Sequence, residues 1–219
     1  MSKKNLLKWG LSGAGCLITV GFPLALVFGF GLLYYFTGFR GQQALLSQDE
    51  SRFDPILEKD NVLKLAGEGA EFLSFSATGV RSDGTIDLGS KVVPSTAFYQ
   101  LRGPRENPNA PPGVEPRFEM ITIGAWPKGN RLTQVVGHTK HYTFEWGLGK
   151  TTFNTGSNDP RIPFPACSFR TLWAEAMKGG APKNGVASIS YDHRGYRFSI
   201  GGTTHNFDFD ASCVLLKTK

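Results

Sequence analysis

His138 and His141 form an H-x-x-H pair, and His193 and His205 lie elsewhere in the chain, so a zinc site is the first chemistry to weigh. Spacing argues against it. Residues three apart on a strand point to opposite faces, whereas the helical zinc motif sets two histidines four apart with a glutamate between them. That glutamate is missing, and surface histidines account for the pair better. No G-x-S-x-G is present, and Cys167 and Cys213 make an even pair whose bonding to each other would remove a Cys/His dyad. Asp208 and Asp210 alternate with Phe207 and Phe209, which could place two carboxylates on one strand face. The solvent side of an edge strand with core phenylalanines is the simpler reading. Gly147, Gly149, Gly201 and Gly202 form no phosphate loop and read as turns or bulges. Trp126, Trp146 and Trp173 could line a ligand groove, with core and rim packing the default. The expectation is a protein that is not an enzyme, with no catalytic residue, no cofactor and no metal.

What must position any site is set by the run from Trp9 to Phe39, in which 31 consecutive residues carry no charge. A hydrocarbon core of about 30 Å needs roughly 20 apolar residues in a helix. Cys16 to Phe36 supplies them, so residues 11–39 are expected to form a single transmembrane helix behind a basic tail, 1–10. Lys3, Lys4 and Lys8 precede the run and only Arg40 follows it closely, which keeps the N-terminus in the cytoplasm and puts the rest outside. A cleaved signal peptide would have a shorter apolar region and a small-residue cleavage site. Within the span Gly10, Ala14, Gly21, Ala25 and Gly29 fall in one arc of roughly 100°. Such a small-residue face lets a second helix approach closely. Gly is also common in membrane helices, and Pro23 interrupts the pattern.

The net charge of +6 and pI of about 9.3 suggest nucleic acid until the charges are located. Much of the excess flanks the span, and the remaining chain has no Lys/Arg block, so a nucleic-acid partner is not expected. About 180 residues follow the span, enough for one domain. In an oxidising compartment Cys167 and Cys213 should be bonded.

The fold class expected is α+β, an antiparallel sheet with two packed helices. Residues 40–53 read as a linker. In 54–103, Asp54-Pro55 opens a short helix, followed by strands over Phe72–Val80, Thr85–Val93 and Thr96–Arg102. Residues 104–116 are a proline-rich connector, and 117–166 hold central strands and an irregular stretch from Gly147 to Pro165. In 167–219, Ser168 can cap a helix whose Phe169, Leu172, Trp173, Ala176 and Met177 form one stripe, stopped by Gly179-Gly180, before three strands ending at Cys213. Both 54–103 and 167–219 thus read as α-β-β-β. An old duplication and the chance recurrence of a common pattern both fit.

The function expected is that of a non-catalytic, single-pass cell-membrane protein whose periplasmic or extracellular domain serves as an accessory or interaction subunit of a larger assembly. Its partner would be an integral membrane protein, or a second copy through the helix. Two rivals are a ligand- or peptide-binding sensor domain, which demands a pocket with convergent polar groups, and an envelope enzyme, which demands perturbed titratable groups in a cleft.

Overall fold

A computed structural model describes residues 42–105, 109, 118–127, 132–136, 140–144, 147–155 and 159–218. The expected membrane helix and its contact face, Gly10, Ala14, Gly21, Ala25 and Gly29, lie outside the described residues. No helix among the described residues is long and apolar enough to cross a membrane. Gly41–Lys219 forms one compact unit.

The unit is a mixed, sheet-dominant domain with two helices. In chain order its elements are β1 (Gln42–Ala44), a 3₁₀ turn (Glu50–Arg52), α1 (Lys59–Ala66), β2 (Glu71–Val80), β3 (Thr96–Arg105), β4 (Phe118–Trp126), β5 (Leu132–Val136) and β6 (Lys140–Phe144). There follow β7 (Gly147–Thr155), α2 (Phe169–Lys178), β8 (Ala187–Asp192), β9 (Gly195–Ile200), β10 (Asn206–Phe209) and β11 (Leu215–Thr218). Nine strands form one sheet in the order β1-β7-β4-β3-β2-β8-β9-β10-β11, and β5 and β6 form a separate hairpin. Every pairing is antiparallel. Reading outward from the adjacent β2 and β8, each of which follows a helix in the chain, one side runs β3, β4 and β7 with β1 at its edge, and the other β9, β10 and β11.

One face of the sheet carries the core. Ala77 on β2, Tyr99 and Leu101 on β3, Ile121 and Ile123 on β4, Ile189 on β8 and Phe198 on β9 alternate inward, as period-two burial requires. Both helices contribute apolar side chains to this same core, Val62 and Ala66 from α1 and four residues from α2. Trp173 meets Phe198 edge-on with ring centroids 4.9 Å apart, and Phe169 meets Phe75 at 5.5 Å. Ser168 caps α2 by accepting a hydrogen bond from the Thr171 amide, and Gly179 ends it.

Cys167 and Cys213 are bonded, their Cα atoms 5.8 Å apart, across 46 residues. The bond ties the residue before the α2 cap to the β10–β11 turn, where Cys213 sits at φ 69°. Asp210 shapes that turn by accepting from the Ser212 and Val214 amides. Beside the bond, the Tyr196 hydroxyl accepts from the Cys167 amide, and burial pushes its pKa up to about 12.

Six local expectations are corrected. Residues 40–53 are not simply a linker, because β1 pairs with β7 and Phe53 is wholly buried. A carboxylate holds the segment down. Glu58, itself 0% exposed, accepts from the Ser47 amide and hydroxyl, the Gln48 side-chain amide and Asn61. Asp54 does cap a turn, by accepting from the Ile56 amide, yet the helix proper starts only at Lys59 and Leu57 stays exposed. Burial raises the Asp54 pKa against that hydrogen bond.

Thr85–Val93 is not a strand. Both edges of β2 are taken, by β3 and β8, so the segment crosses the end of the sheet with Ile86 bridging Phe53 and Val80. Ile86 and Leu88 alternate because both enter the core, at 0% and 4% exposure. Gly84, at φ 85°, makes the preceding turn, and a Cβ there would come within 2.6 Å of the Arg170 amide nitrogen at the start of α2. Residues 54–103 therefore hold one helix and two strands.

The connector begins later than read, since β3 runs through Pro104 to Arg105 with a register shift between Arg102 and Arg105, the kind of irregularity that admits proline. Gly147–Thr155, read as irregular, is β7, fully paired with β4. After α2 come four strands, because Cys213 lies in a turn and Leu215–Thr218 adds β11.

Candidate functional site

The second face of the sheet is polar where the first is apolar. Paired residues of an antiparallel sheet project to the same side, so rows can be followed across strands. One row runs Gly149, Gly124, Phe98, Ser76, Ser190, Arg197, Asp208. A neighbouring row includes Ser188, Ser199 and Asn206. Between them lies a cavity of about 400 Å³, open to solvent, whose polar lining comes from Ser76, Thr78, Ser188, Ser190, Arg197, Ser199, Asn206 and Asp208.

At its β3 side the trough meets aromatic rings. Trp126 folds over Gly124, where an added Cβ would be 2.7 Å from the indole, and its ring stands edge-on to Phe98 at 5.5 Å. Both rings are partly exposed. At the far side are charges that answer one another. The Asp192 carboxylate takes Arg194 at 2.6 Å and Arg197 at 3.1 Å, and Asp208 faces Arg197 in register. The side-chain hydrogen bond from Arg194 holds the Asp192 carboxyl down to about 2.

That shift has a sign. Asp192 contributes stability above its ordinary pKa of 3.8 and loses the contribution as pH falls toward 2. Asp192→Asn is expected to cost about 1 kcal/mol near neutrality, the scale of a solvent-screened ion pair. In urea titrations, the gap in midpoint between the two proteins should close as pH drops from 4 toward 2; a gap that stays constant would contradict it.

Among the described residues, those singled out by sequence do not converge. His193 is exposed in the β8–β9 turn, and His205 lies before β10, stacked on Phe207 at 6.2 Å, so the two sit at opposite ends of β9. His141 falls in β6, while His138 and Trp146 lie outside the described residues. Among the described residues no three His, Cys, Asp or Glu side chains form a metal set. Asp208 lies on the open face but Asp210 is in the turn beyond the strand, whereas Phe207 and Phe209 are core. Trp173 is core as well, whereas Trp126 lies beside the trough. The trough serines were not singled out, although Ser188-Ile189-Ser190 and Phe75-Ser76-Ala77 carry a period-two polar signal. That signal marks a solvent face and says nothing of which strands adjoin.

Compared with protein families, with curated proteins and with solved structures, the chain matches none of them.

Proposed function

We propose that the chain is a single-pass membrane protein whose domain, residues 41 onward, lies outside the cytoplasm and acts as a non-catalytic accessory subunit of a larger membrane assembly. The observation that carries this is the charge-free run Trp9–Phe39 with three lysines before it. The Cys167–Cys213 bond supports it, because disulfides persist in oxidising compartments. The domain is a pair of helix-led halves from an old duplication. The run of strands outward from β2 and from β8, each of which follows a helix, supports that reading.

The helix face Gly10, Ala14, Gly21, Ala25 and Gly29 is the contact to the partner or to a second copy. Gly21→Ile, Ala25→Ile and Gly29→Ile together keep the segment apolar. Purified in mild detergent, the wild-type chain should bring down an integral membrane partner or its own dimer, and the triple variant should not. Protease added outside intact cells or spheroplasts should digest the domain and leave a membrane stub. A protected domain, or association unchanged by the triple substitution, counts against the proposal.

A further inference from the structure

We propose that the trough on the open face binds an uncharged saccharide. Ser76, Ser188, Ser190 and Ser199 line it, and none of their hydroxyls has a hydrogen-bond partner among the described residues. Their neighbours are engaged: Ser74 donates to Gln100 at 2.7 Å, and Thr78 and Thr96 bond each other at 2.9 Å. A hydroxyl is one donor and two acceptors, so four free ones on one surface match a ligand that carries the same groups.

Charge narrows the ligand further. Arg197 is held by Asp192 and stands opposite Asp208, so the trough has no surplus cation for a phosphate or carboxylate and no free carboxylate pair for a cation. A peptide added as a strand needs a sheet edge, yet β2, β8, β9 and β10 are each paired on both sides. An apolar ligand would find hydroxyls. Phe98 continues the row beyond Ser76, with Trp126 beside it, and a partly exposed aromatic ring is a surface on which the C–H face of a sugar can rest. The volume, about 400 Å³, lies within the 300–1,000 Å³ of small-ligand sites. Its openness to solvent suits a few units of a longer glycan as well as a free sugar. From the function proposed above, this inference takes only the compartment in which the ligand is met.

The test is calorimetric titration of the full chain in phosphatidylcholine nanodiscs, because maltoside or glucoside detergents would carry the ligand's own chemistry. The probes are maltohexaose, cellohexaose and the hexamer of N-acetylglucosamine, each at millimolar concentration, with glucose and N-acetylglucosamine alongside. At least one should bind saturably. Binding of hexamers alone would point to a glycan strand, and binding of a monosaccharide to a free sugar. Ser76→Ala with Ser190→Ala should weaken binding about tenfold, two hydrogen bonds being lost, and Ser190→Trp should abolish it by filling the trough. Circular dichroism of each variant checks the fold. No saturable heat from any probe, or binding that both variants leave unchanged, overturns the inference. Since the triple isoleucine substitution leaves the trough intact, failure here and failure of the membrane-subunit proposal are read separately.

Discussion

Replacing Cys167 and Cys213 together with serine should remove about 4 kcal/mol of stability, the chain-entropy value for releasing a loop closed across 46 residues. Domains of this kind have only about 5–15 kcal/mol in total. The loss should therefore show as a large drop in Tm. Its location explains why it matters. The bond joins the residue before the α2 cap to the turn that carries Cys213 at φ 69°, a left-handed conformation that a non-glycine residue adopts only when its surroundings impose it. With the bond gone, the β10–β11 turn keeps the Asp210 hydrogen bonds but loses its link to the helix. Alkylation of unfolded, non-reduced protein should modify Cys16 and spare the other two cysteines. Modification of all three would refute the pairing, and an unchanged Tm in the double serine variant would refute its energetic role.

Leu172→Ala should cost 2–5 kcal/mol, the range for deleting a large aliphatic side chain from a core that cannot collapse around the gap. Leu172 is 0% exposed, between Phe169 and Trp173, which are equally buried. Met177 ends the same stripe but remains half-buried, so Met177→Ala should cost clearly less than Leu172→Ala in the same urea titration. Equal and small losses, under 1 kcal/mol for both, would mean that the α2 stripe is not a core face. Trp173 offers an internal comparison. Its indole nitrogen is buried with no partner among the described residues, so Trp173→Phe trades lost volume against relief of an unsatisfied donor. It should be far milder than Trp173→Ala.

Much of the second helix and its surroundings was legible because the information is local. The stripe from Phe169 to Met177 needs only the 3.6-residue period, its ends only Ser168 and Gly179-Gly180, and the inward phenylalanines 207 and 209 only the alternation of a strand. β7 was hidden for a physical reason. Its first residues include Gly147, at φ 85°, where an added Cβ would run into the Ala44 carbonyl oxygen, and Gly149, which lies opposite Gly124. The strand is made by backbone pairing to β4 and β1, which leaves no mark on composition. The segment from Thr85 to Val93 failed in the opposite sense. Its alternation was real and reported burial, but no strand edge was free to receive it.

By itself the sequence determined the buried stripe of α2 and the inward phenylalanines of β10, that the only two cysteines after the apolar run could pair, and that thirty-one residues near the N-terminus carry no charge. These depend on side-chain type and near-neighbour spacing. Only the tertiary structure decided that β2 and β8, more than a hundred residues apart, lie side by side at the centre of the sheet, and that Glu58 draws the segment around Ser47 into the domain. Pairing and latching rest on backbone and single hydrogen bonds between distant points, which no local period records. The trough follows from that pairing: Ser76 comes from one strand, Ser188 and Ser190 from a second and Ser199 from a third, and they share a surface because the register of β2, β8 and β9 brings three separate polar faces into one.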